Sequence, residues 1–191
     1  MNRLLYFFVV ALLPLLPASS IAQPISYKIS PSDSRIGFVV TKWLVFKEEG
    51  RFKQYEGTIT YDPANPAATQ VSISIKTESV DSRNTDRDKV IKSRDVLNTG
   101  KFPAMSFISK SAKANGKDTL LVTGDFTIRD VTKRITVPVR TLGTTSERGV
   151  GALAGFETEF IINRFDYGVS EFENLISKDV LIQMQIGAIA K

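Results

Sequence analysis

Apolar and polar residues alternate along most of this chain, and this alternation constrains the fold more than any other feature. In residues 70–77 the apolar side is Val71, Ile73 and Ile75, and the polar side is Ser72, Ser74 and Lys76. In 119–129 the apolar side is Leu120, Val122, Phe126 and Ile128, interrupted by Gly124. Ile135, Val137 and Val139 repeat the pattern in 134–141, and Phe156, Phe160 and Ile162 repeat it in 155–163. Near the end, Val180, Ile182, Met184 and Ile186 alternate with Gln183 and Gln185. Period two reads as half-buried strands, because successive side chains of a strand point to opposite faces. Segments 25–29, 34–41, 51–61 and 104–111 add further strands, for about nine in all.

The links between them are short. Asp62-Pro63-Ala64-Asn65-Pro66 stops one strand, and Asn115-Gly116 separates two others. Residues 130–133 form a hairpin link in which Asp130 bonds its own backbone ahead. The polar stretch 143–151 reads as a hairpin loop. Many short strands with short links make an antiparallel meander, and closing such a sheet into a barrel hides its edges. One segment departs from period two. Residues 84–97 open on Asn84 as N-cap, carry Asp86 and Asp88 early and Lys92 and Arg94 late, and present Val90, Ile91 and Leu97. They predict a short helix inserted between strands.

Composition then removes whole classes of chemistry. The 191 residues contain no His and no Cys. Imidazole general-base catalysis, thiol chemistry, disulfides and ordinary zinc, copper or haem ligation are therefore excluded. Carboxylate or lysine chemistry and plain binding remain. The net charge of +5 comes from interspersed signs, which does not suit a nucleic-acid partner. Glu157 and Glu159, the best-placed acids, alternate with Phe156 and Phe160 and are expected to face solvent.

The first 22 residues read as a secretory signal peptide. Arg3 supplies the positive end, 4–16 the apolar run, and Ser20 and Ala22 the small residues before a cut at Gln23. The expected mature chain is 23–191, one barrel domain, periplasmic or secreted.

Five motifs then occur in a fixed order. They are Ser34-Arg35-Ile36-Gly37-Phe38; Gly50-Arg51-Phe52-Lys53-Gln54-Tyr55-Glu56-Gly57; Arg87-Asp88 with Ser93-Arg94-Asp95 and Phe102-Pro103-Ala104-Met105-Ser106-Phe107; Gly124 to Lys133; and Asn163-Arg164-Phe165-Asp166-Tyr167-Gly168. Together they resemble the YceI-like proteins, exported bacterial proteins with a lipocalin-like barrel that bind polyisoprenoid lipids. Three places differ from that pattern: Tyr27-Lys28-Ile29-Ser30 at the start, Val90 where many members have His, and Val96-Leu97 in place of paired aromatics.

The resemblance implies an all-β, antiparallel lipocalin-like barrel with a short inserted helix. It implies binding of an isoprenoid or similar long-chain amphiphilic lipid in an apolar tunnel, as carrier or store, without catalysis. Read one at a time, the inward residues Phe38, Val40, Phe52, Ile73, Phe107, Val122, Phe126, Phe160, Ile182 and Met184 are core. The resemblance makes the set a tunnel lining. Trp43 marks either the barrel mouth or an ordinary core position. Arg87 and Asp88 either pair with each other, cap strand ends or meet a polar head group. Arg164, with Asn163 and Asp166, either shapes a turn before Gly168 or meets the head group. The ligand implied is an isoprenoid lipid or quinone; no metal or other cofactor is expected, and transient membrane contact fits a soluble carrier. Two other readings stand beside this one: a carboxylate-dependent hydrolase, and a filled structural barrel acting through protein contacts.

Overall fold

The computed structural model describes residues 24–191. The expected signal segment 1–22 lies outside the described residues. In chain order the elements are β1 (Ile25–Ile29), β2 (Arg35–Lys42), β3 (Phe46–Phe52), β4 (Tyr55–Tyr61), β5 (Gln70–Lys76), β6 (Val80–Asp81), α1 (Thr85–Lys92), β7 (Ala104–Ala114), β8 (Thr119–Ile128), β9 (Val131–Glu147), β10 (Gly151–Asn163) and β11 (Ile176–Ala190). All strand pairings are antiparallel.

These eleven strands build eight staves. β1 and β2 lie end to end along β11, through Tyr27↔Ala190 and Phe38↔Ile182. β3 and β4 lie end to end along β2 and β1, and β6 and β5 along β3 and β4. The remaining staves are β7 to β11, each paired with the next. The start of the described chain therefore pairs with its end, and the sheet closes into a barrel with a short helix at one end. The expected fold class is the one observed.

Alternation decides which side chains fill the barrel. On β8, Leu120, Val122, Phe126 and Ile128 are buried. On its outer face Thr123 and Thr127 share hydrogen bonds with Thr136 and Thr132 of β9, at 2.7 and 2.8 Å. Beside them Arg134 Nε donates to Asp125 at 2.9 Å. Burying each aliphatic or aromatic side chain contributes about 1.5–3 kcal/mol, against tenths to about 1 for each outer cross-strand pair. The inner face therefore holds the fold, and the outer pairs tune its register.

The corner between β1 and β2 shows how a stave bends without opening the barrel. Ser30 N donates to the carbonyl of Gly187 at 2.9 Å. The Ser34 hydroxyl bonds both the carbonyl and the N–H of Gly187, at 3.1 and 3.0 Å. Tyr55 donates its hydroxyl hydrogen to the carbonyl of Ser34 at 2.6 Å. Gly187 permits this approach because it lacks Cβ; a carbon there would lie 2.8 Å from both Cβ and O of Asp33.

Four expectations change. Segment 51–61 is two strands, broken at Lys53-Gln54, and β3 begins already at Phe46. Lys47-Glu48-Glu49 carries no alternation, so its strand character comes only from pairing with β2. The stretch 143–151 is mostly strand, with Glu147 opposite Gly151, because backbone pairing continues past the last buried side chain. The link after β8 is Arg129-Asp130 alone, with Arg129 left-handed at φ 57°, and Val131 to Lys133 belong to β9. The helix keeps its expected cap, the Asn84 side chain accepting from Arg87 N, but ends at Lys92 rather than Leu97.

Gly187→Ala should lower stability by about 1–3 kcal/mol, the usual cost of forcing an added carbon into a filled site. Urea unfolding followed by far-ultraviolet circular dichroism measures it; an unchanged midpoint would mean the corner is looser than described.

Candidate functional site: an apolar cavity beside the helix

The barrel is filled at one end and hollow at the other. A cavity of about 470 Å³ opens at the helix end. Phe38, Val40, Phe52, Phe126, Ile182 and Met184 all line it. A smaller void of about 60 Å³ lies further along the barrel, lined by Ile73, Phe107, Val122, Phe126, Phe160 and Met184 among others. Ile75, Phe126 and Met184 border both, and so form the partition between them. Each of the ten residues singled out from alternation thus borders one space or the other. Toward the far end the interior is packed, with Tyr61 edge-on to Phe156 at 5.4 Å and Tyr27 almost wholly buried.

Other residues outside the expected tunnel set also line the cavity. Ile36, Ile128, Ile162 and Val180 are in phase with the inward set, and strict counting of alternation finds them. Val90, Ile91, Val96 and Leu97 come from α1 and the turn after it, and Val169, Phe172, Leu175 and Ile176 from the segment before and into β11. These lie outside any period-two pattern, so only tertiary placement brings them to the wall.

Charged residues sit on the rim. Lys42, Glu48, Arg87 and Glu171 border the opening. Arg87 pairs with Glu48 and holds Ser82 by two bonds, Nε to Oγ at 2.9 Å and a terminal N–H to the carbonyl at 2.7 Å. Asp88 accepts from the same Ser82, from N at 2.8 Å and from Oγ at 2.6 Å. Arg87 and Asp88 therefore do not pair with each other; both fasten α1 to Ser82, just after β6, and Arg87 also ties it to β3. Trp43 is not in the core. It stands exposed at the β2–β3 tip, beside the rim.

Arg164 also borders the cavity, with its guanidinium bonded to the protein's own backbone. It is buried, and four donor bonds reach the carbonyls of Ser177, Val169, Glu171 and Ile176, at 2.7–3.0 Å. It clamps the segment that walls the cavity between Val169 and Ile176. Burial pulls its pKa below the usual arginine value, and Glu173 and Glu171 oppose that pull. The turn reading holds beside it. Asn163 Oδ1 accepts from Phe165 N at 3.0 Å, and Gly168 takes the left-handed φ of 70°. Tyr167, another lining residue, has its pKa pushed up to about 12, by burial first and by Asp166 second, so it is neutral at ordinary pH.

The outer face carries a wider groove, about 550 Å³, between Arg35, Glu49, Arg140, Glu157, Glu159 and Gln183. Its size does not make it the better site. Glu157 is paired with Arg140 at 2.6 Å, and Glu159 accepts from Gln183 at 3.1 Å, as expected of solvent-facing acids. Among the described residues, no group of three or more acidic side chains is placed to hold a metal ion. The interior cavity, apolar within and charged at its rim, has the form of an amphiphile site.

Comparison with known proteins agrees with this architecture. Residues 27–188 match the family model of the YceI-like domain. The chain is 42% identical over 135 residues to protein YceI of Escherichia coli O6:H1, covering 71% of this chain and 68% of that one. The crystal structure of Burkholderia cenocepacia BcnA superposes with a TM-score of 0.77 at 21% identity, over 83% of this chain and 98% of that one. A polyisoprenoid binding domain from Saccharophagus degradans superposes with a TM-score of 0.67 at 17% identity, over 87% and 99%. At such identities the two structures speak for the fold.

Replacing Arg164 by Gln should cost about 2–4 kcal/mol, because buried carbonyls lose a charged donor. Hydrogen exchange should localise the damage to residues 169–177. Lys at this position should rescue poorly, having one point charge where a planar fork served several acceptors. Full rescue by Lys would show that charge, not geometry, holds the segment.

Proposed function

Because the chain belongs to the YceI-like family, we propose that it binds the tail of an isoprenoid-class amphiphile in the 470 Å³ cavity, its head group at the rim beside Lys42 and Arg87. The observation that carries this reading is the cavity itself: an apolar hollow of ligand size left unfilled at one end of the barrel. The Saccharophagus degradans domain, described as polyisoprenoid binding, shares the fold and supports the ligand class. The chemistry is burial alone. Each methylene taken from water contributes about 0.8 kcal/mol, roughly fourfold in affinity, so a tail of a few isoprene units offsets the cost of association. No group has to react, which suits a chain without His or Cys. In this reading the protein is a carrier or store acting outside the cytoplasm, consistent with the signal pattern before Gln23.

Affinity for prenyl alcohols should rise with chain length and level off when the cavity is full, and it should change little with salt. Native mass spectrometry of a length series reads both. Ile182→Asp, which places an unpaired carboxylate in the wall, should abolish uptake; Val40→Phe should shorten the preferred tail with the fold intact by circular dichroism. Affinity independent of length and steeply salt-dependent would place the ligand on the surface instead.

Exported protein should begin at Gln23. N-terminal sequencing of the secreted or periplasmic fraction checks it, and retention of Met1 would remove the export reading.

A further inference from the structure

The tip of the β2–β3 hairpin has the wrong residues for its backbone. Val45 N donates to the carbonyl of Lys42 at 3.2 Å, closing a two-residue turn. Its central residues, Trp43 and Leu44, both have positive φ, 51° and 65°. A turn with both centres left-handed is ordinarily built from Asn-Gly or Asp-Gly, and a bulky side chain there is strained. Nor does the strain serve the core. Trp43, Leu44, Val45 and Phe46 are 58, 97, 71 and 57% exposed. Fold stability would be better served by small polar residues at these places, so the apolar cluster points to a contact outside the molecule.

Its position says which contact. Trp43 N donates to the carbonyl of Leu175 at 3.0 Å, tying the tip to the segment that walls the cavity. Lys42 and Phe172, the latter also partly exposed, border the same opening. The tip therefore stands at the mouth through which a tail would enter. A second copy of the chain is a poor occupant. A stable protein interface takes about 800 Å² and 20–30 residues from each partner, and this is a projecting knob of four. A bilayer surface fits the chemistry. Trp43 packs edge-on to Phe46 at 6.1 Å, and Lys42 Nζ lies 4.4 Å over the Trp43 ring. Lys42 and Lys47 flank the apolar tip with positive charge. Aromatic rings at head-group depth, with lysines reaching back to the phosphates, are what anchors a segment at a membrane interface.

We propose that the Trp43–Phe46 tip inserts into the interfacial layer of a lipid bilayer and seats the cavity mouth on the membrane. A tail then passes between bilayer and barrel without crossing water. The second step rests on the cavity reading above; the insertion does not.

The sequence holds a single Trp, so the unaltered protein carries its own reporter. With vesicles of phosphatidylethanolamine and phosphatidylglycerol, Trp43 emission should shift to the blue and be quenched by acyl-brominated lipid. Leu44→Asp should weaken vesicle partition at least tenfold. Leu44→Gly should weaken it too while leaving the melting temperature equal or higher, since Gly accepts the left-handed φ without strain. Both variants should take up a short prenyl alcohol from solution as the parent does. Unmoved Trp43 emission, or variants that float with vesicles as well as the parent, would overturn the proposal. So would a dimer in sedimentation that Leu44→Asp disrupts, with no vesicle binding: the tip would then cover a second copy. Vesicle binding without prenyl uptake would support the docking and overturn the cavity reading.

Discussion

Closure of the sheet is the constraint on which the rest depends. A meander of staves has two edges, each a row of unpaired backbone groups, and here they satisfy each other. β11 is 15 residues long, and it pairs along one side with both β2 and β1. Without that pairing neither edge is covered, and the inward side chains face water. The bend at Ser30–Ser34 is thus more than a connection. It lets one stave change direction while keeping its hydrogen bonds on the same partner, and it works because Gly187 gives the backbone room.

A closed barrel of eight staves is just wide enough to be filled by side chains or to hold one small ligand. This barrel does both, at opposite ends. Toward one end aromatic pairs such as Tyr61–Phe156 meet across the interior. Toward the other, α1 and the segment after Tyr167 stand over the opening and hold back from filling it. Two arginines keep them there. Arg87 fastens the helix through Ser82 and Glu48, and Arg164 gathers four carbonyls of the facing segment. Hollow space in a protein tends to collapse onto itself, so a lasting cavity needs walls held from behind. These hydrogen bonds do that at the cavity's own border.

The polar groups sort accordingly. Outer carboxylates such as Asp125 and Glu157 are tied to Arg134 and Arg140 across the strands, where they help set register. The Arg134 hydrogen bond first, and its charge next, hold the Asp125 carboxyl below the usual aspartate range. Charge on the barrel is structural on the outside and sits at the mouth of the cavity at the helix end.

Local sequence determined much of this. Side-chain direction in a strand depends only on position, so alternation marked Phe38, Val122, Phe126, Ile182 and the others as inward, and Asn84 marked the start of the helix. The absence of His and Cys bounded the chemistry before any fold was known. Tertiary structure alone decided which inward residues are packed and which border open space. Free volume depends on what reaches across the lumen from other strands and on what covers its end, and no window of sequence contains that. For the same reason Lys47-Glu48-Glu49 became strand only through its partner, and Arg164 became a clamp only when the carbonyls of Val169 to Ser177 arrived around it.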